Sequence, residues 1–424
     1  MKRNLLLIFI CLALLLPVFG CASSPATDRS TGLQSSADTK VQSTEEETTD
    51  SSSEEKMIAK AIWQDPNNVI LLWSNSFNYE YSIYRSNDPN NGFEYIGKSI
   101  TASYRDATAK YPNEYYYIIK AKNTKTQQVV EFDPICAVVA PDEVDSVSII
   151  MYHNFVSDED VANGIEFEEY SISPGDFEQD LIWLKDNGYV TITSAELLFF
   201  LKNKEPLPPK AVILSIDDGS WGVYKNAWPL LKKHGMKADF NVIGAQIDAT
   251  WELLHSGGTR YGEPAPFCTW EELIEMQASG EINICSHTYG MHIYNKEKRV
   301  GMSMMENEPF EEFAQAVKKD YNLALSCIEG WLGIIPETVA YPYSKRSAIG
   351  DQIVLENTGY KILMAGEGAR GTAGNYFVRG CDFFNQLTLM SRSCRMNGTP
   401  IDVYLERIQE KDASNGVNSP MPSS

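Results

Sequence analysis

Two adjacent carboxylates, Asp217 and Asp218, stand directly after an apolar run over residues 212–216 and before Gly219. Two histidines, His287 and His292, close a second such run over 282–286. Carboxylates and imidazoles are the side chains that bind divalent ions and move protons between reacting atoms. Two imidazoles and one carboxylate from the Asp217–Asp218 pair would make a three-ligand set, leaving a metal open to water and substrate. The histidines are five residues apart, which on a helix would separate them by about 140°. They therefore need a turn between them, and Gly290 supplies one. The chain has only five histidines, so two at one strand exit are a concentration that asks for an explanation. An isolated DDG also suits a turn that caps the next helix; the histidines tip the reading toward chemistry. His153 ends another strand-like run, IMYH, and can reach the same pocket from there. His234, at an expected helix C-terminus, and His255, in an expected loop, are read as structural.

The elements that must position these residues follow from hydrophobic period. Between 145 and about 410, strand-like runs at 147–152, 190–193, 212–216, 238–243, 282–286, 338–341 and 361–364 alternate with helical segments. Ser173 with Pro174 opens one helix and Thr269 with Glu272 makes a capping box for another. Phe310, Phe313, Val317, Tyr321, Leu325 and Ile328 keep a helical period through a long amphipathic segment. Repeated βα units of this size predict a parallel barrel or an open doubly wound sheet, both of which bind ligands at the C-terminal strand ends.

The segments IDDG, SHTYGMH and AYPYS, in this order and each at a predicted strand end, resemble the successive motifs of the polysaccharide deacetylases. That carbohydrate esterase family (NodB homology) includes chitooligosaccharide, peptidoglycan and poly-N-acetylglucosamine deacetylases. The resemblance covers about residues 145–400 and implies a multidomain α/β chain with a distorted (β/α)7 barrel over 143–410. It implies Asp217 as catalytic base, Asp218, His287 and His292 as ligands of a divalent metal, and Tyr341, Pro342 and Tyr343 as a wall of the substrate groove, with the Tyr343 N–H facing the oxyanion. Zn2+ is the metal implied, with Co2+ or Ni2+ as substitutes. The five-residue histidine spacing and the MYHN segment are similar to the branch acting on poly-β-1,6-N-acetylglucosamine, where an early histidine, here His153, serves as general acid. Two departures stand out. No histidine follows His292, and Ala340 occupies the place of an arginine that commonly holds the base; Arg392, Arg379 or another group has to take that part.

The rest of the chain describes an export route. Lys2 and Arg3 precede an apolar run over 5–18, which predicts a signal peptide over 1–20. The quartet Val18, Phe19, Gly20, Cys21 resembles a bacterial lipobox, implying lipidation of Cys21 and a membrane anchor on the extracellular side. Residues 21–56 are Ser, Thr and acidic, a composition that buries too little apolar surface to fold and reads as a tether. Residues 57–142 alternate in short strands, expected at 69–73, 79–84, 93–96, 115–121 and 129–139, and make an all-β sandwich. Its ILLWS, YSIYRS, GFEYIG and NEYYYIIKA stretches resemble fibronectin type III modules, with Trp73, Tyr84 and Tyr117 expected in the core. Residues 411–424 read as a disordered tail. A net charge of −21 argues against nucleic acid. It is compatible with a neutral or cationic partner such as an N-acetylglucosamine polymer. The cysteines show no CxxC spacing, so a cysteine zinc site is not expected, and no disulfide pairing follows. Besides the deacetylase, two other readings stay open: a surface binding lipoprotein with a degenerate deacetylase domain, and a metal-dependent deacylase of another ester or amide.

Overall fold

The computed structural model describes residues 59–414 except 66–67, 74–78, 101–102, 111–112, 133, 140–143, 262–265, 296–298, 370–371 and 379–388. The expected signal peptide, Cys21, the tether and Arg379 lie outside the described residues.

Residues 59–139 fold into two antiparallel sheets. One joins strands Ala59–Asp65, Asn68–Trp73 and Ser103–Asp106, and the other is built on Tyr79–Ser86 and Asn113–Asn123. Alternation puts Val69, Leu71, Trp73, Tyr81, Ile83, Tyr117 and Ile119 into a shared core. Two expectations need correction. Tyr84 is only half-buried, because Tyr81 and Ile83 take the inward positions and the next residue must face outward. The single strand expected over 129–139 is two, Val129–Glu131 and Ile135–Val139, separated at Pro134, which has no N–H for a ladder.

The second half is a nearly closed parallel barrel. Its strands are β1 (Val144–Tyr152), β2 (Ala211–Ile216), β3 (Ala238–Val242), β4 (Ile282–Ser286), β5 (Thr338–Ala340) and β6 (Ile362–Ala365), paired in that order. An antiparallel β7 (Asn375–Val378) adds to the outer edge of β1. The ring is closed by two short strands in succession, β8 (Leu389–Ser391) alongside β6 and β9 (Ser393–Cys394) alongside β1. Helices cover the outside, two of them with the expected caps: α1 (Pro174–Asp186), capped by Ser173, α2 (Ser194–Asn203), α3 (Trp228–His234), α4 (Gly244–His255), α5 (Trp270–Ser279), capped by Thr269 and Glu272, and α6 (Phe310–Leu332). His234 ends α3 against Glu178 at 2.9 Å, whereas His255 ends α4 instead of lying in a loop.

Strand parity decides what the barrel holds. Along β2, Val212, Leu214 and Ile216 pack outward against helices, so Ala211, Ile213 and Ser215 face inward, and Asp217 continues the inward series. The interior is apolar at one level, with Ile149, Ile213, Met364 and Met390, and becomes polar toward the C-terminal strand ends. That gradient supports a site at the top without losing the core below it.

The expected tail boundary is also corrected. The last helix, α7 (Ile401–Ser414), runs past residue 411 because Asp412, fully buried, accepts hydrogen bonds from the Ala373 and Gly374 N–H groups and the Tyr376 hydroxyl, each at 2.7 Å. Replacing Asp412 with Ala, or ending the chain at Glu410, strands these three donors and should destabilise the barrel by about 2–4 kcal/mol. A lowered urea midpoint checks this; an unchanged midpoint would return residues 411–414 to a dispensable tail.

Candidate active site

The side chain at the centre is Asp217. The pairing of Ile216 with Tyr152 sets Asp217 level with His153 at the top of adjacent strands. Asp217 is 2 % exposed, and burial alone would raise its carboxyl. The charge of Arg392 overrides burial and holds the group below the usual carboxylate value. Arg392 grips it with both prongs, Nη1 at 2.7 Å from Oδ1 and Nη2 at 2.9 Å from Oδ2. Arg392 in turn donates to Ser215 Oγ at 3.0 Å and to the Ala365 carbonyl at 3.3 Å. Asn241 donates to Asp217 Oδ1 at 2.8 Å. Arg392 is thus the group opposite Asp217 where Ala340 is too small to be one. It lies between β8 and β9, at the seam that closes the barrel.

Asp218, His287 and His292 come together beside it. His287 Nε2 lies 3.5 Å and His292 Nε2 3.2 Å from Asp218 Oδ1, and the three candidate ligand atoms all lie within 4.8 Å of one another. Tetrahedral ligands about 2.1 Å from a zinc ion are about 3.4 Å apart, so the set matches a small divalent ion. Protonation fits as well. His287 Nδ1 is 2.9 Å from the Ala340 carbonyl, which can only accept, so the proton sits on Nδ1 and the Nε2 lone pair faces Asp218. Burial pulls the His287 imidazole down to about 4, against the opposing charges of Asp217 and Asp218, leaving it neutral and able to ligate. Burial would raise Asp218, but the His292 bond and the nearby histidines hold it well below the usual range. His292 is steadied by the Tyr343 hydroxyl at 3.0 Å from Nδ1.

The turn between the histidines has its own support. Asp320 of α6 accepts from the Tyr289 N–H at 3.0 Å and the Gly290 N–H at 2.7 Å, pinning the loop that carries His292. Asp218, Thr288, Tyr343 and Ser344 all have left-handed backbone, with φ of 78°, 73°, 54° and 55°. Such conformations cost energy in residues with a Cβ and persist where surrounding structure imposes them.

His153 lines the same cavity of about 340 Å³ as Asp217, Asp218, His287 and His292. Its Nδ1 is 3.9 Å from Cys394 Sγ and its ring is 5.1 Å from that of Tyr170. Tyr343, 40 % exposed, and the edge of buried Tyr341 also line the cavity. Pro342 is buried beneath the turn and is not among the lining residues. Sequence reasoning missed Asn241, Asp320, Tyr170 and Cys394 and did not choose between Arg392 and Arg379. The signal for Asn241 was its parity: Asp239 and Asn241 alternate through an otherwise apolar run, as do Ser215 and Asp217. The four cysteines with described side chains, Cys268, Cys285, Cys327 and Cys394, are free thiols.

Residues 204–363 match the sequence family described as polysaccharide deacetylase. Over 236 residues the chain is 22% identical to the poly-beta-1,6-N-acetyl-D-glucosamine N-deacetylase of Escherichia coli (strain K12), covering 53% of this chain and 34% of that protein. It is 28% identical over 178 residues to the protein of the same description from Staphylococcus aureus (strain MRSA252), covering 42% and 55%. The chain therefore spans between a third and just over half of these relatives. Among solved structures, the de-N-acetylase from Aggregatibacter actinomycetemcomitans superposes with a TM-score of 0.50 at 22% identity, covering 62% of this chain and 100% of that one, a likeness of fold.

Substitutions at two positions test the site's architecture. Arg392→Met leaves Asp217 a buried charge without a partner and should destabilise the barrel by about 3–5 kcal/mol, while Arg392→Lys, which keeps the charge but loses the fork, should cost clearly less. Equal denaturant midpoints for the two would refute the role of the bidentate pair. Asp320→Ala frees the histidine loop and should weaken zinc binding at least about tenfold by calorimetry, with little change in thermal midpoint.

Proposed function

Residues 204–363 belong to the polysaccharide deacetylase family, and from that premise we propose that this chain hydrolyses N-acetyl groups from an N-acetylglucosamine polymer at the cell surface, held there by a lipid on Cys21. The observation that carries the reading is one cavity holding a carboxylate clamped by a buried arginine beside a two-histidine, one-aspartate set.

An amide is a poor electrophile, so its hydrolysis needs a polarised carbonyl, an activated water and a proton for the departing amine. Zn2+ is the ion we propose for Asp218, His287 and His292; when bound it supplies Lewis acidity toward the acyl oxygen and lowers the pKa of the attacking water to about 7, which brings that water within reach of a weak base. Asp217 is that base. Arg392 keeps it ionised and fixes both its oxygens, so it takes a proton without having to reorient. His153, level with Asp217 at the top of the adjacent strand and lining the same cavity, gives a proton to the leaving nitrogen. The Tyr343 N–H donates to the acyl oxygen as negative charge builds there. Acetate and a free amino sugar are the products.

A non-catalytic surface protein was favoured by Ala340 and by the lack of a histidine after His292. Arg392 against Asp217 and His153 on the cavity wall weaken both grounds. The intact chain loaded with zinc or cobalt should release acetate from N-acetylglucosamine oligomers. Chelation should abolish release, and Asp217→Asn should lower kcat by about 10²–10⁴. A stoichiometrically metal-loaded chain that releases none, with Asp217→Asn indistinguishable from wild type, would leave the binding-protein reading in its place.

A further inference from the structure

The segment that closes the barrel carries more than the arginine of the Arg392–Asp217 pair. Cys394 stands two residues beyond Arg392, the spacing that turns strand side chains to one face, and both line the catalytic cavity. β9 sets Cys394 in register with Met151, two residues before His153. Cys394 Sγ lies 3.9 Å from His153 Nδ1. The backbones on either side are tied to one carboxylate. Asp180 of α1 accepts from the hydroxyl of Tyr152, immediately before His153, at 3.0 Å, and from Nε of Arg395, immediately after Cys394, at 2.9 Å. The Arg395 N–H also donates to the Met151 carbonyl at 2.8 Å. The Tyr170 ring packs against the imidazole at 5.1 Å. With Nδ1 turned toward Cys394, Nε2 is the nitrogen left to meet a substrate. Burial, aided by the charge of Asp217, pushes the Cys394 thiol up to about 12, so the sulfur is uncharged at neutral pH. It is therefore no nucleophile there. A neutral sulfur accepts weakly from an Nδ1–H. A carboxylate in its place would stabilise the imidazolium and make it a poorer proton donor.

We propose that Cys394 is a positioning residue for His153: its sulfur takes the Nδ1–H and aims Nε2 at the leaving nitrogen, so that one short segment holds the base, through Arg392, and the acid. This rests on the deacetylase reading. The groups that share the cavity with His153, namely Asp217, Asp218, Arg392, His287, His292 and Tyr170, are common to the parent and its variants, so a changed pH dependence reports position 394. The test uses the intact, zinc-loaded chain and acetate release from N-acetylglucosamine oligomers. Cys394→Ala should lower kcat about tenfold with KM within about twofold, and Cys394→Ser, which keeps an acceptor, should recover most of it. Cys394→Asp should move the alkaline limb of the kcat profile up by about one pH unit, because the imidazolium then survives to higher pH. Full kcat in Cys394→Ala, or a loss that Cys394→Ser does not relieve, overturns the role. Magnetic resonance of ring-labelled histidines, assigned with His153→Gln, follows the His153 titration without turnover, and the same upward shift is expected in Cys394→Asp. A titration unmoved in the folded variant overturns the contact; should that variant not fold, the Ala and Ser pair decides. A parent that releases no acetate, while its His153 titration answers to position 394, refutes the activity and leaves the contact standing.

Discussion

The Arg392–Asp217 pair holds two opposite charges where water can solvate neither, and much of the barrel's upper half is arranged around that fact. Side chains 1 % and 2 % exposed carry these charges, so removing either partner leaves an uncompensated ion in a low-dielectric interior. The pair persists because its remaining hydrogen-bonding capacity is also met: Ser215 Oγ and the Ala365 carbonyl accept from the guanidinium, and Asn241 donates to the carboxylate. Each of these groups comes from a different strand. A carboxylate oriented in this way is already in the geometry that proton transfer needs.

The same pair ties function to closure of the fold. Ser391 is hydrogen-bonded in register with Ala365, and Ser393 with Ile150, so Arg392 is the single residue between a strand that pairs with β6 and a strand that pairs with β1. A shift of one residue in either register would turn Arg392 outward. Closing the ring and orienting Asp217 are therefore one event, and the interior needs Arg392 there because β5 offers only Ala340 in the neighbouring layer.

This explains which parts were legible in the sequence. The run from Ala211 to Asp217 carries its own parity, so an inward Asp217 follows from local pattern, and the caps at Ser173 and Thr269 are equally local. Arg392 is a different case. It follows a strand only three residues long and meets a partner 175 residues earlier, so nothing near it in the chain distinguishes it from Arg379. Asp320 is hidden for a related reason, since on α6 it reads as one polar residue on the wet face of an amphipathic helix. Only the packing of α6 under the 289–291 turn gives its carboxylate a task. The tail boundary at residue 411 failed as an expectation because composition describes average burial, whereas Asp412 is held by three specific donors; the expected tail over 415–424 lies outside the described residues.

Backbone strain at the rim completes the physical picture. Asp218 and Gly219 both have φ near 80–90°, which bends the chain sharply at the end of β2. Without that bend, parity would send the residue after an inward Asp217 outward, away from the histidines. The left-handed turn at Asp218 brings two consecutive carboxylates to one cavity, one toward Arg392 and one toward His287 and His292. A side chain at position 219 would sit 3.1 Å from Ile247 Cδ1 and would disfavour the same φ. Gly219 is thus what allows neighbouring residues, which a regular strand would point to opposite faces, to serve one cavity. The DDG triplet alone is an ordinary turn; inside this barrel its backbone geometry gives the two carboxylates separate partners, Arg392 for one and the two histidines for the other.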